Sequence, residues 1–126
     1  MSTTEFVTAA DDTRLLRRVW EAESPRATVL LAHGLGEHSG RYEDLGSRLA
    51  ESGYAVRSLD QRGFGRSGGP RAFVERFDDY LDDLAAEVAD ARTGGVPVVL
   101  YGHSLGGLIA LAYTLSPRLR PEYQFG

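Results

Sequence analysis

Hydrophobic positions along this chain of 126 residues change period several times, and each change marks an element. In residues 13–20, Leu15, Arg17 and Val19 alternate against Leu16, Arg18 and Trp20, the two-residue period of a strand at a sheet edge. With residues 4–9 and the turn Ala10-Asp11-Asp12, this predicts a β-hairpin in which Trp20 is a packing residue. Residues 27–32, ATVLLA, are continuously apolar, as in a strand buried on both faces of a parallel sheet. Tyr42, Leu45 and Leu49 then recur at helical spacing, which predicts an amphipathic helix over residues 41–52 with Gly53 just past its end. YAVRSL, residues 54–59, is the next strand. Val74, Phe77, Leu81, Leu84, Val88 and Ala91 predict a long helix over 74–92, followed by an apolar strand between Val96 and Tyr101 and a small-residue helix over 107–115. The tail from Ser116 ends that helix at Pro117 and predicts no further strand.

A helix between two strands makes them parallel through a right-handed crossover, so the alternation predicts an α/β fold with a mostly parallel sheet. In such sheets ligand-binding loops lie beyond the carboxyl ends of the strands. Three glycine-rich loops follow strands here, over residues 33–40, 60–70 and 102–107, and all are expected on one rim.

Gly102-His103-Ser104-Leu105-Gly106 is a G-x-S-x-G with a strand before it and a helix after it. A serine at the tip of such a turn sits in strained backbone, and glycines two residues to either side remove side chains that would clash. The alternative is a glycine-rich turn with a chance serine. Ser104 is the candidate nucleophile, and the backbone N–H of Leu105 is one candidate oxyanion donor. The N–H of Leu35, after His33-Gly34 in the first loop, is the candidate for the second.

A serine nucleophile also needs a base and an orienting carboxylate, and only three histidines are present. His103 lies inside the turn and is expected to point away from Ser104. His33 suits a structural hydrogen-bonding role, and His38 a place on the loop or substrate rim. None is a well-placed base.

Composition narrows the picture further. The net charge of −4 argues against a nucleic-acid partner. The absence of cysteine removes disulfides and thiolate metal sites. The amino-terminal residues lack a signal-peptide core and no run approaches a membrane span, so a cytoplasmic location is expected. Asp78, Asp79, Asp82, Asp83, Glu87 and Asp90 read as a solvated helix face, since they lack the spacing of a calcium loop.

The segments HGLGEHSGRY (His33 to Tyr42), DQRGFGRSGGPR (Asp60 to Arg71), FDDYLDDL (Phe77 to Leu84) and GHSLGG (Gly102 to Gly107) together resemble the α/β-hydrolases. They are most similar to the monoacylglycerol lipase and lysophospholipase branch, also described as serine aminopeptidase-like. The resemblance implies a serine esterase or lipase acting on acylglycerols or related esters without a cofactor, with Ser104 as nucleophile and Leu35 and Leu105 at the oxyanion. It further implies that this chain is one partial domain, residues 1–126. That domain corresponds to the family's N-terminal half: strands one to five and helices A to C, without the cap, the triad acid or the triad histidine. A non-catalytic remnant or binding domain of the same fold is the alternative. Without further strands, the strand between Val96 and Tyr101 becomes a bare apolar edge, which predicts self-association or completion by another segment.

Overall fold

The computed structural model describes residues 1–120. Five strands form one sheet: β1 (Thr3–Thr8), β2 (Arg14–Trp20), β3 (Ala27–Ala32), β4 (Tyr54–Leu59) and β5 (Val98–Gly102), in the order β1-β2-β4-β3-β5. β1 and β2 form the expected antiparallel hairpin, with Phe6 opposite Leu16. β3 runs parallel to both β4 and β5. Helices α1 (Glu43–Glu51), α2 (Phe77–Arg92) and α3 (Leu105–Thr114) cover the two faces.

The alternation of side chains along β3 distributes the core. Val29 and Leu31 join Trp20 and Val56 against Leu45 and Leu49 of α1, whereas Leu30 joins Leu81, Val88, Ile109 and Tyr113 on the α2–α3 face. Every residue of β3 is buried, as its unbroken apolar run requires. Trp20 is fully buried and lies against the backbone of Gly46, where a Cβ would overlap the indole ring.

Four sequence expectations change. β2 is not an edge strand: it pairs with β1 on one side and antiparallel with β4 on the other, leaving β1 and β5 as the edges. The helix expected over 41–52 is divided, with a 3-10 turn at Ser39–Tyr42 before α1, because the His38 side chain caps Gly40 N–H and Tyr42 departs from helical dihedrals. The helix expected from residue 74 begins at Phe77, since Arg76 is still extended. α3 starts at Leu105, two residues earlier than expected.

The acidic run is the larger correction. Asp83 and Glu87 are buried, and their carboxylates are paired with arginines from the sheet side. Arg62 bonds both oxygens of Asp83 at 2.8 Å and reaches Asp11 at 2.7 Å. Arg17 bonds Glu87, and Arg118 bonds Asp82 at 2.6 Å. The run therefore ties α2 to β2, to the hairpin turn and to the chain beyond α3. Among the described residues no group of three or more His, Cys, Asp or Glu could hold a metal ion.

β5 has no strand on its outer side among the described residues, and Val99 and Tyr101 are about half exposed. Leu108, Leu111 and Leu115 of the following helix region are also exposed. No helix among the described residues is long and apolar enough to cross a membrane. Of the expected strandless tail, Pro117–Leu119 is a 3-10 turn, and residues 121–126 lie outside the described residues.

Candidate active site

Because β4, β3 and β5 are parallel neighbours, their carboxyl ends deliver the three glycine-rich loops to one rim. Ser104 is exposed at the turn between β5 and α3, with φ 54° and ψ −117°. That left-handed backbone is costly for a residue with a Cβ, on the order of 1–3 kcal/mol. The surroundings over-determine it. A Cβ on Gly102 would lie 2.5 Å from the Gly106 carbonyl oxygen, and one on Gly106 would overlap the Ala32 carbonyl. Only glycine lets α3 begin this close to the end of β3.

The N–H of Leu105, first residue of α3, has no intrahelical acceptor, and the turn bonds around it run from Gly106 N–H to His103 O and from Leu108 N–H to Ser104 O. Leu35 lies in the turn closed by Glu37 N–H to Gly34 O at 3.2 Å, and it is 69% exposed. Gly34 is pressed against the elbow: a Cβ there would lie 3.1 Å from Nδ1 of His103 and 3.2 Å from its carbonyl oxygen. The helix N-terminus, the Leu35 turn and Ser104 are thus brought together around one patch of surface that favours negative charge.

The histidines are committed elsewhere. His33 is fully buried, its Nδ1 donates to Gly34 O at 2.7 Å, and its Nε2 accepts the Gln61 N–H at 2.8 Å. This pair of bonds requires the neutral ring, and burial lowers its pKa from the usual value. His33 therefore joins the first loop to the second. His38 accepts Gly40 N–H at 3.1 Å. His103 turns to Glu37, with Nδ1 3.2 Å from Oε1. Ser104 Oγ has no hydrogen-bond partner among the described residues.

Two organising carboxylates were not legible in the sequence. Glu37 accepts Gly34 N–H at 2.7 Å and Tyr42 O–H at 2.8 Å in addition to facing His103. The Gly34 bond, then that of Tyr42, lowers its pKa to about 2, while burial and the Glu37 bond push Tyr42 up to about 12. Asp60, buried at the end of β4, accepts both Ser39 N–H and Ser39 O–H at Oδ1 and Arg66 N–H at Oδ2. A carboxylate at a strand's carboxyl end, followed by glycines, was the available signal for Asp60. Glu37 carried none, since its partners are set by how two loops meet.

Residues 23–124 match the family described as serine aminopeptidase, S33. The chain is 39% identical to the monoacylglycerol lipase of Mycolicibacterium smegmatis over 103 residues, covering 79% of this chain and 37% of that protein. It is 39% identical to the human monoglyceride lipase over 105 residues, covering 81% of this chain and 35% of that protein. A soluble variant of monoglyceride lipase from Saccharomyces cerevisiae, solved with a substrate analog, superposes with a TM-score of 0.76 at 27% identity, covering 90% of this chain and 38% of that one. The chain thus spans well under half the length of these relatives. Four motifs in order, the strand–elbow–helix geometry and the family match agree: the chain belongs to the serine aminopeptidase S33 family and has the α/β-hydrolase fold.

Proposed function

We propose that this chain carries the nucleophile and oxyanion hole of a serine hydrolase that cleaves monoacylglycerols or related lipid esters. The observation that carries the proposal is the strained, exposed Ser104 beside two unengaged backbone donors, Leu105 N–H and Leu35 N–H. In the acylation step Ser104 Oγ bonds the ester carbonyl carbon and gives its proton to a base. The carbonyl oxygen becomes an anion held by the two N–H groups. The tetrahedral intermediate expels the alcohol, which takes the proton, and water then releases the acid from the acyl-serine. No cofactor enters this scheme. Gly102 and Gly106 support it by permitting the turn, Gly34 and His103 by the close approach of the first loop to the elbow, and His33 by tying that loop to the second.

His33, His38 and His103 are each bonded elsewhere, so the proposal assigns the base, and the carboxylate that orients it, to another polypeptide segment brought to Ser104. The lipid-ester substrate class rests on the names of the relatives. A fluorophosphonate probe tests the chemistry. Labelling at Ser104 is expected to be weak in this chain and absent in Ser104→Ala. It is expected to rise at least a hundredfold when a segment carrying the missing groups is supplied, because an oxyanion hole alone retains only a residual rate. A probe that labels Ser104→Ala as well as the wild type excludes the assignment.

A further inference from the structure

Half of the fourteen arginines of this acidic chain are paired: Arg17, Arg41, Arg48, Arg57, Arg62, Arg76 and Arg118 each face a carboxylate. Arg14 and Arg66 differ. Both are exposed, and neither has a hydrogen-bond or ion-pair partner for its guanidinium among the described residues. They meet instead on one ring: the Arg14 guanidinium carbon lies 3.7 Å from the centroid of Phe6 and that of Arg66 lies 5.7 Å from it. Phe6 itself is 39% exposed. The nearby carboxylates are engaged elsewhere. Asp60 is buried and accepts Arg66's own backbone N–H, Asp11 bonds Arg62, and Glu5 turns to Arg17. Arg18, beyond Leu16 on the Arg14 side of β2, bonds the hydroxyls of Ser39 and Ser2.

We propose that Phe6, Arg14 and Arg66 form a docking site for phosphate-bearing lipid headgroups, which sets the rim holding Ser104 against an anionic lipid surface. Two guanidinium groups on one exposed ring concentrate positive charge that no carboxylate offsets, and the planar fork of arginine suits phosphate oxygens. The ring contributes cation–π attraction that holds both planes in place. A lipid surface fits better than a soluble anion because exposed apolar groups accompany the cations. Phe6 is part of the site, and Leu35 is on the first loop, which meets the Arg66 loop where Gly65 abuts His38. The site is independent of the ester-hydrolysis reading, since binding needs neither Ser104 nor a base.

Co-sedimentation of the whole chain with vesicles of phosphatidylcholine alone, and of phosphatidylcholine with phosphatidylglycerol, tests it. Binding to the anionic vesicles and not to the neutral ones is expected. Arg14→Ala with Arg66→Ala is expected to weaken binding about tenfold or more, since one arginine near an anionic surface is worth about fivefold. Arg48→Ala with Arg76→Ala removes the same charge at other exposed positions and is expected to change it little. Arg14→Lys with Arg66→Lys keeps both charges but loses the planar fork, and is expected to bind more tightly than the alanine pair and less tightly than the wild type, which separates loss of charge from loss of fold. Equal binding to neutral vesicles, equal loss in the two alanine pairs, or displacement from the vesicles by millimolar inorganic phosphate overturns the proposal.

Discussion

Gly106 abuts the carbonyl group of Ala32, so that a Cβ at position 106 would overlap that oxygen and lie 2.7 Å from the carbonyl oxygen of His33. The neighbours are backbone at the end of a buried strand, with no flexible side chain to yield. Gly106→Ala is therefore expected to cost about 3 kcal/mol, at the upper end for overpacking. Gly95→Ala is the control: its φ of +76° is strained for alanine but nothing lies within 4 Å, so a cost of about 1 kcal/mol is expected. Urea midpoints of the two variants measure the difference, and equal losses would show that the close approach is dispensable.

Ser104 holds a dihedral pair that glycine tolerates more easily. Ser104→Gly is expected to stabilise the chain by about 1 kcal/mol net, the relieved strain exceeding glycine's entropic cost. Ser104→Ala retains a Cβ and is expected to give no such gain. Thermal unfolding of the pair decides, and a lower midpoint for Ser104→Gly contradicts the strain.

Glu37 predicts an acid-limb signature. Its pKa is lowered from 4.5 to about 2, first by Gly34 N–H and then by Tyr42 O–H. A depressed folded-state value means that the ionised group stabilises the fold above its unfolded value, and that this contribution disappears as the pH falls through the folded one. The stability gap between wild type and Glu37→Gln is expected to be constant above about pH 5 and to close between pH 4.5 and about 2. Unfolding midpoints across that window test this. A gap that does not close with acid assigns Glu37 a merely steric role.

Arg62 and Asp83 form a buried pair in which burial raises the Asp83 pKa and the guanidinium opposes that rise. Arg62→Ala leaves the Asp83 carboxylate without its main partner and is expected to cost about 3 kcal/mol. Arg62→Met combined with Asp83→Leu removes both charges and is expected to recover most of the loss. A double variant no more stable than Arg62→Ala would place the effect in packing and not in charge.

The outer edge of β5 presents the half-exposed Val99 and Tyr101. Sedimentation velocity on this chain is expected to show concentration-dependent association that Val99→Lys weakens, because an edge lysine opposes strand pairing. A wild-type monomer at all concentrations contradicts it.

Much of the architecture was readable because it rests on local period. The apolar run of β3, the three-and-four spacing of α1 and α2, and Gly53 past the end of α1 each report their own element. What escaped were relations between distant segments. β2 alternates like an edge strand, yet β4 pairs with its second side. The acids of α2 resemble a solvated stripe until Arg17 and Arg62 are brought beneath them.

The elbow divides in the same way. The sequence by itself determined that a strand would turn sharply into a helix at Gly102-His103-Ser104-Leu105-Gly106, since few other residues permit that backbone. Only the tertiary structure decided that His33 is spent on Gly34 and Gln61, that Glu37 ties Gly34 to His103, and that Arg14 and Arg66 share one ring. Backbone conformation follows from neighbours in the chain, whereas a polar side chain's role is set by what the fold places within hydrogen-bond reach.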